Sequence, residues 1–249
     1  MGRRLLRMFT AIETGAAVLG AAGLAAGGYA YASLWPGSQI FGKTLIAPRK
    51  PGELALTFDD GPNPAWTPHL LDVMAAHRVQ GTFFMLGKFA AAEPELVRRV
   101  AAAGHLVGCH SWDHPNLART AKAAIEEQLT RSKDELEQIL GQEVRFFRPP
   151  YGARRPYALT AARDLGMTPV TWNAMTNDWA ERDAEKIAER LGRKIERLEK
   201  WWGRAANIVL HDGGHRMLGT DREPSVTAAR LLLERYELTH LFVRLDAWA

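Results

Sequence analysis

The sequence predicts an α/β domain built around a mostly parallel sheet. Seven short apolar runs alternate along the chain with six longer amphipathic runs, the order expected of strands and their crossover helices. Hydrophobic residues make up 47% of the 249 residues and charged residues 24%, which is ordinary for a globular protein and excludes a disordered or collagen-like chain. The single cysteine, Cys109, excludes an intramolecular disulfide framework and a cysteine-rich zinc module.

The chain begins with a basic and then apolar leader. Three arginines within the first seven residues precede an Ala/Gly-rich apolar run over residues 14–34. This pattern is typical of a signal peptide, and about 20 apolar residues also suffice for one membrane-spanning anchor. We therefore expect residues 1–35 to be a signal peptide, with Ala-Tyr-Ala at 30–32 as candidate cleavage site, or an uncleaved signal anchor. The paired arginines also allow a twin-arginine signal, and a buried Ala-rich helix of the fold is the alternative.

The positive charge is concentrated in this N-terminal part. Residues 1–52 carry six lysines and arginines against one acidic residue. Because the whole chain has a net charge of +4, residues 53–249 are nearly neutral, at −1. A nearly neutral domain offers no basic face for phosphate groups, so we expect no nucleic-acid partner.

The elements of the domain follow in a regular order. A linker punctuated by Pro and Gly covers residues 36–52, and the domain proper covers residues 53–249. The predicted strands are Leu54–Phe58, Thr82–Met85, Leu106–Cys109, Val144–Phe147, Thr168–Thr171, Asn207–Leu210 and Leu241–Arg244. The predicted helices are Thr67–His77, Pro94–Ala103, Ala121–Leu140, Pro156–Leu165, Asp183–Trp201 and Pro224–Glu234.

Five of the predicted strands are followed by chemically active side chains. In chain order these are Asp59-Asp60, His110 with His114, Arg148, Asp178-Trp179 and His211. Reactive groups of such folds gather beyond the carboxyl ends of the strands, so we expect these side chains on one face of the sheet.

The two histidines and the two aspartates suggest a metal site. His110 and His114 are four residues apart, which on a helical turn puts two imidazoles on one side, as a divalent metal needs. A carboxylate would complete a three-ligand site with an open position for water, which marks a catalytic zinc. Adjacent side chains leave an extended chain in different directions, so one of Asp59 and Asp60 can bind metal while the other acts as a base. Considered one at a time, the histidine pair and the aspartate pair could equally be ordinary residues of surface turns. Arg148 could likewise be an ordinary exposed arginine.

In this order, the segments resemble the motifs of the polysaccharide deacetylase family (carbohydrate esterase family four, the NodB homology domain). The resemblance covers about residues 53–249. The matching segments are Thr57–Pro62, His110–His114, Arg148–Gly152, Asp178-Trp179 and Val209–His211, with Thr82–Phe84 and Gly87 matching a further signature.

The resemblance implies a distorted, incomplete (β/α)7 barrel and a metal-dependent hydrolase. Such an enzyme removes N-acetyl groups from N-acetylglucosamine-containing polysaccharide, such as peptidoglycan, chitin-like oligomers or exopolysaccharide. The implied cofactor is a divalent cation, usually zinc and in some members cobalt, nickel or iron, held by Asp60, His110 and His114. Water bound to this cation would attack the acetyl carbonyl.

The resemblance also implies roles for the other site residues. Asp59 would be the general base, held by Arg148, and His211 the general acid, oriented by Asp178. The backbone N–H of Tyr151 would help to bind the oxyanion. The acetyl pocket would be shaped by Trp179, Val209 and Pro149.

Two departures from the family leave the substrate open. Residues 173–177 lack an upstream Asp that many members carry, and Val209 stands where Leu is commoner. The alternatives are an O-acetyl esterase on xylan-like glycans, a deformylase of a lipid-linked sugar and a non-catalytic glycan-binding module. We expect a glycan partner in an extracytoplasmic location, with membrane contact if the leader is retained.

The remaining histidines and tryptophans carry weaker signals. Structural or exposed roles are expected for His69, His77, His105, His215 and His240, although His215 lies four residues from His211. Three tryptophans outside the motifs are candidates for stacking on sugar rings: Trp66, Trp201 and Trp202. For the Trp201–Trp202 pair, at the end of a predicted helix, we favour burial in the core.

Overall fold

The computed structural model describes residues 22–249. The basic start of the leader lies outside these residues, so the signal or anchor over residues 1–35 stays a prediction. Residues 22–34 form a helix, α1, whose residues 22–31 are exposed and thus do not form a buried helix of the fold. None of the helices in the described part is long and apolar enough to cross a membrane.

The domain alternates strands and helices. The strands are β1 (Glu53–Gly61), β2 (Thr82–Met85), β3 (Leu106–Cys109), β4 (Phe146–Phe147), β5 (Thr168–Pro169), β6 (Ala174–Met175), β7 (Ala206–His211) and β8 (Leu241–Phe242). The helices are α2 (Thr67–Ala76), α3 (Gly87–Ala92), α4 (Pro94–Ala102), α5 (Lys122–Leu140), α6 (Pro156–Asp164), α7 (Ala184–Trp202) and α8 (Glu223–Tyr236). Two 3₁₀ turns cover Pro150–Gly152 and Leu245–Trp248.

One parallel sheet organises these elements. Its order is β5-β4-β3-β2-β1-β7-β6, and β8 pairs with the start of β1. The end strands β5 and β6 do not pair among the described residues, so the sheet forms an incomplete barrel. This confirms the predicted parallel α/β fold and the barrel that the resemblance implied. The sequence did not predict β6 and α3, because elements of two and six residues carry too little periodicity.

The central strand β1 shows how the fold places the site. Alternate residues of a strand point to opposite faces. Leu54, Leu56 and Phe58 pack into the large core that contains the helices, whereas Ala55 packs into a smaller cluster with Phe84. Asp59 is four residues after Ala55 and therefore lies on the same face of the strand. Its carboxylate thus points to the inside of the barrel.

A buried arginine ties the segment after α1 to the domain. Arg154 is fully buried, and its Nη2 donates to the carbonyl oxygens of Trp35 and Ser38, at 2.8 Å each. Its backbone N–H donates to the carbonyl of Ser33 at 3.0 Å, and the Ser33 hydroxyl donates back at 2.7 Å. Residues 33–38 are therefore packed against the loop that follows β4.

The expected burial of the Trp201–Trp202 pair is wrong. Trp201 is 71% exposed and Trp202 is 69% exposed. Leu198 is the last residue of α7 that packs against the core, and Gly203 ends the helix in the left-handed conformation. The last turn of α7 therefore extends past the core that its preceding turns cover.

Candidate active site

The two aspartates at the end of β1 serve different partners. Asp60 has a φ of 70°, which turns the backbone after Asp59 and separates the two carboxylates. Asp59 Oδ1 accepts a hydrogen bond from Arg148 Nη1 at 2.7 Å, whereas Asp60 Oδ1 faces two histidine rings. Both carboxylates are buried, so each needs an opposite charge or a metal in contact.

Asp60, His110 and His114 form a group of three metal-type ligands. One potential ligand atom of each residue lies within 4.8 Å of the others. Asp60 Oδ1 is 3.6 Å from His110 Nε2 and 3.3 Å from His114 Nε2. His110 Nδ1 lies 2.8 Å from the carbonyl oxygen of Arg148, to which it can only donate, so the Nε2 lone pair is free for a cation.

The charge states of this group suit a cation. Burial lowers the pKa of His110 and His114, that of His114 to about 3, so both imidazoles are neutral at pH 7. Burial alone would raise the pKa of Asp60, but the surrounding histidines outweigh burial and hold this pKa well below its usual range. Asp60 Oδ1 is buried and accepts no hydrogen bond. An ionised oxygen without a donor, facing two neutral imidazoles, fits a divalent cation.

Arg148 is the fixed counter-ion of Asp59. Its side chain is fully buried, with the guanidinium 4.2 Å from the ring centroid of Phe84. Besides Asp59, it donates to Thr57 Oγ1 at 2.7 Å and to Asn207 Oδ1 at 3.2 Å. Three acceptors hold the guanidinium in place, so it fixes the direction of the Asp59 carboxylate.

His211 ends β7, beside the end of β1, and is held by Asp178. The strand register pairs His211 with Asp59. His211 Nδ1 lies 3.0 Å from Asp178 Oδ1, and Asp178 Oδ2 accepts from the His211 backbone N–H and from Ser225 Oγ, at 2.8 Å each. Burial tends to lower the pKa of His211, but the ion pair and hydrogen bond with Asp178 outweigh it and raise the pKa to about 9. The ring is therefore an imidazolium at neutral pH.

Most of these groups line one cavity of about 690 Å³ at the carboxyl ends of the strands, and the buried Arg148 and Asp178 lie behind it. Among its lining residues are Asp59, Asp60, His110, His114, Tyr151, Trp179, His211 and His215. Of the predicted pocket residues, Trp179 lines the cavity, whereas Pro149 and Val209 are buried and do not line it. The pocket role of these three residues stays a prediction.

Backbone strain is concentrated at this site. Five non-glycine residues in the described part have a positive φ, and four of them lie at the site: Asp60 at the end of β1, and Ser111, His114 and Tyr151 in the segments that follow other strands. The rings of Tyr151 and His114 pack in an edge-to-face arrangement, with centroids 4.4 Å apart. Such conformations cost about 1–3 kcal/mol each and persist where the surroundings over-determine them, which favours a functional role for these loops.

Four residues of the site were not assigned from the sequence. Thr57 and Asn207 hold Arg148, and Ser225 holds Asp178. His215 was expected to be structural or exposed, yet it lines the cavity. The signals available were the place of Thr57 in the segment Thr57–Pro62, a polar Asn in an apolar strand and the four-residue spacing from His211 to His215.

Comparisons with known proteins identify related sequences. A family model described as polysaccharide deacetylase matches residues 47–170. A chitooligosaccharide deacetylase from Azorhizobium caulinodans is 33% identical over 176 residues, which covers 70% of this chain and 80% of the relative.

Two solved structures share the fold. A peptidoglycan N-acetylglucosamine deacetylase is 30% identical with a TM-score of 0.72, and the match covers 82% of this chain and 91% of that one. A CE4 family pseudoenzyme from Bacillus anthracis has the same TM-score of 0.72 at 22% identity, covering 82% of this chain and 68% of that one. The second likeness shows the fold alone, so the fold does not by itself establish catalysis.

Proposed function

The chain belongs to the polysaccharide deacetylase family, and on this premise we propose that it removes N-acetyl groups from N-acetylglucosamine-containing glycans by hydrolysis. The observation that carries the proposal is that a carboxylate–histidine–histidine group, Asp59 with its buried partner Arg148, and an imidazolium all meet at one cavity. Amide hydrolysis needs a strengthened nucleophile, a base and an acid, and the cavity has a candidate for each.

Asp60, His110 and His114 would hold the divalent cation. When bound, the cation supplies Lewis-acid polarisation of the acetyl carbonyl and lowers the pKa of a water molecule to about 7. We propose zinc, because two neutral imidazoles and one carboxylate with an open position form a common catalytic zinc set. Cobalt, nickel and iron accept the same donors.

Asp59 would accept the proton of the attacking water. Its Oδ1 is occupied by Arg148, and its Oδ2 lies 4.0 Å from His110 Nε2, on the side of the proposed metal ligands. The ion pair with Arg148, at 2.7 Å, fixes the carboxylate and leaves Oδ2 as the oxygen that would accept the proton. Because Asp59 lies on a strand, its position in the cavity is fixed before substrate arrives.

His211 would donate the proton that the leaving amine needs. Its pKa of about 9 keeps the ring protonated near pH 7, and Asp178 occupies Nδ1, so Nε2 is the donor. We also propose the backbone N–H of Tyr151 as a hydrogen-bond donor to the oxyanion. A fixed N–H donor at that point costs no reorganisation as negative charge develops.

The proposal also covers the substrate and the cellular location of the protein. The relatives above are named for chitooligosaccharide and for peptidoglycan N-acetylglucosamine, so we propose a polymer of this chemistry. Such glycans and the basic, apolar leader support an extracytoplasmic location. Membrane attachment applies if the leader is retained.

Acetate release tests the proposal. Full-length protein with zinc is assayed on N-acetylglucosamine oligomers, on peptidoglycan and on O-acetylated xylan, with a chelator control. We expect chelator-sensitive acetate release from the amide substrates. Asp59→Asn should reduce turnover by at least 10²-fold, the usual size of a base contribution, and leave zinc binding largely intact.

Three outcomes would contradict the proposal. Release from O-acetylated xylan alone would indicate an esterase. Zinc and glycan binding without release from any substrate would indicate a binding module. Full activity of Asp59→Asn would remove Asp59 as the base.

A further inference from the structure

His215 lies at the site but has no part in the mechanism above. It belongs to the loop between β7 and α8, and about a third of its side chain is exposed at the cavity. We propose that His215 is a positioning residue of the metal site, which orients Asp60 and supports the ring of His114. This inference rests on the proposed function only in taking Asp60, His110 and His114 as the metal ligands.

The contact with Asp60 concerns the oxygen that does not face the other histidines. His215 Nδ1 lies 3.6 Å from Asp60 Oδ2, within ion-pair distance and slightly too long for a hydrogen bond. Asp60 Oδ1, by contrast, faces His110 and His114. An N–H directed at Oδ2 favours a carboxylate orientation in which Oδ1 alone is the ligand. Ligating carboxylates are commonly oriented by such partners.

The other ring nitrogen of His215 is also engaged. His215 Nε2 lies 3.4 Å from the hydroxyl of Tyr151. A neutral ring with its proton on Nδ1 meets both contacts at once, because it donates toward Asp60 and accepts from the phenol.

Packing and a backbone contact hold the ring in place. The rings of His215 and His114 are stacked, with centroids 4.3 Å apart and planes 14° apart. The carbonyl oxygen of His215 accepts a hydrogen bond from Lys88 Nζ at 2.7 Å, which ties the loop to α3. His215 thus contacts two of the three ligand residues, one through a nitrogen and one through its ring face.

Zinc affinity tests the role without reference to turnover. Full-length protein competes with a chromophoric chelator for zinc at one pH, and circular dichroism checks the fold of each variant. We expect His215→Ala to weaken zinc affinity about 10- to 100-fold, the usual effect of losing a residue that orients a ligand. His69→Ala, which removes an exposed histidine of α2, is the matched control and should bind zinc like the wild type.

Two further variants separate the contacts. His215→Asn keeps an N–H donor and His215→Phe keeps a stacking ring, so we expect Asn to recover most of the affinity and Phe little. The absorption spectrum of the cobalt-loaded protein should change in His215→Ala, because the direction of Asp60 changes.

Different results would refute the role of His215 and the proposed metal site. Zinc affinity of His215→Ala within twofold of the wild type would refute the positioning role while the metal site stands. A wild-type protein that binds no zinc, or an Asp60→Ala variant that binds it equally well, would overturn the proposed function together with this inference.

Discussion

Replacing Arg148 by Met tests whether the buried charge pair governs the stability of the site. Met fills much of the same space but leaves Asp59 as an uncompensated buried carboxylate. Breaking a buried pair in this way costs about 3–5 kcal/mol, and the lost bonds to Thr57 and Asn207 put the expected loss near the upper end. The free energy of unfolding at pH 7.5 should therefore fall by about 5 kcal/mol.

The loss should depend on pH, because the penalty falls on the charged carboxylate. Above about pH 4 the unfolded chain keeps its Asp ionised, whereas the folded variant gains stability by taking up a proton. Each pH unit over which one proton is taken up contributes about 1.4 kcal/mol. The difference between Arg148→Met and wild type should thus be smaller at pH 4.5 than at pH 7.5, by up to about 4 kcal/mol over these three pH units.

Urea denaturation with chelator present measures both differences on metal-free protein. The double variant Arg148→Met/Asp59→Asn is the control, because it removes the charge that was left unpaired, and it should be more stable than Arg148→Met at pH 7.5. An equal loss at both pH values, or a double variant no more stable than the single one, would show that packing and not charge sets the cost.

The structure also predicts the effects of three other substitutions on activity or stability. Asp178→Asn removes the partner that raises the pKa of His211 to about 9, so the alkaline limb of the kcat–pH profile should move to lower pH. Gly213→Ala would place a Cβ 2.0 Å from the backbone oxygen of Asp60, so thermal or urea unfolding should show a loss of about 1–3 kcal/mol, with weaker zinc binding. Substituting Lys at both positions of the exposed Trp201–Trp202 pair should change stability by no more than about 0.5 kcal/mol per residue.

Each of these expectations has a contrary result. An unchanged alkaline limb in Asp178→Asn would mean that His211 is not the titrating acid. Wild-type stability in Gly213→Ala would mean that the loop after β7 moves freely away from β1. A loss of several kcal/mol on replacing Trp201–Trp202 would mean that this pair packs against the protein after all.

The sequence predicted most where pattern and chemistry coincide. The buried run of β1 ending in Asp59-Asp60 showed both the strand and its reactive end, because a parallel strand is apolar until it leaves the sheet. Helices α5 and α7 were long enough for their periodicity to be read. The strand β6, by contrast, owes its two residues to pairing with β7, which no local pattern reports.

The supporting contacts of the site could not be predicted in the same way. Ser225 reaches Asp178 from 47 positions away along the chain, and Asn207 reaches Arg148 from 59 positions away. Such partners are specified by the fold and not by spacing in the sequence. His215 was visible as a residue type, but its contact with Asp60 depends on the path of a loop.

The Arg154 contacts make the loop that carries Tyr151 depend on residues that precede β1. A fragment starting at β1 would remove the Trp35 and Ser38 carbonyls, leaving the buried guanidinium with Gly152 as its carbonyl partner. A buried cation that loses its acceptors destabilises its surroundings by several kcal/mol, and here those surroundings include Tyr151, three residues earlier. The packed part of the chain that supports the Tyr151 loop therefore includes residues 33–38, and removing these residues should destabilise that loop.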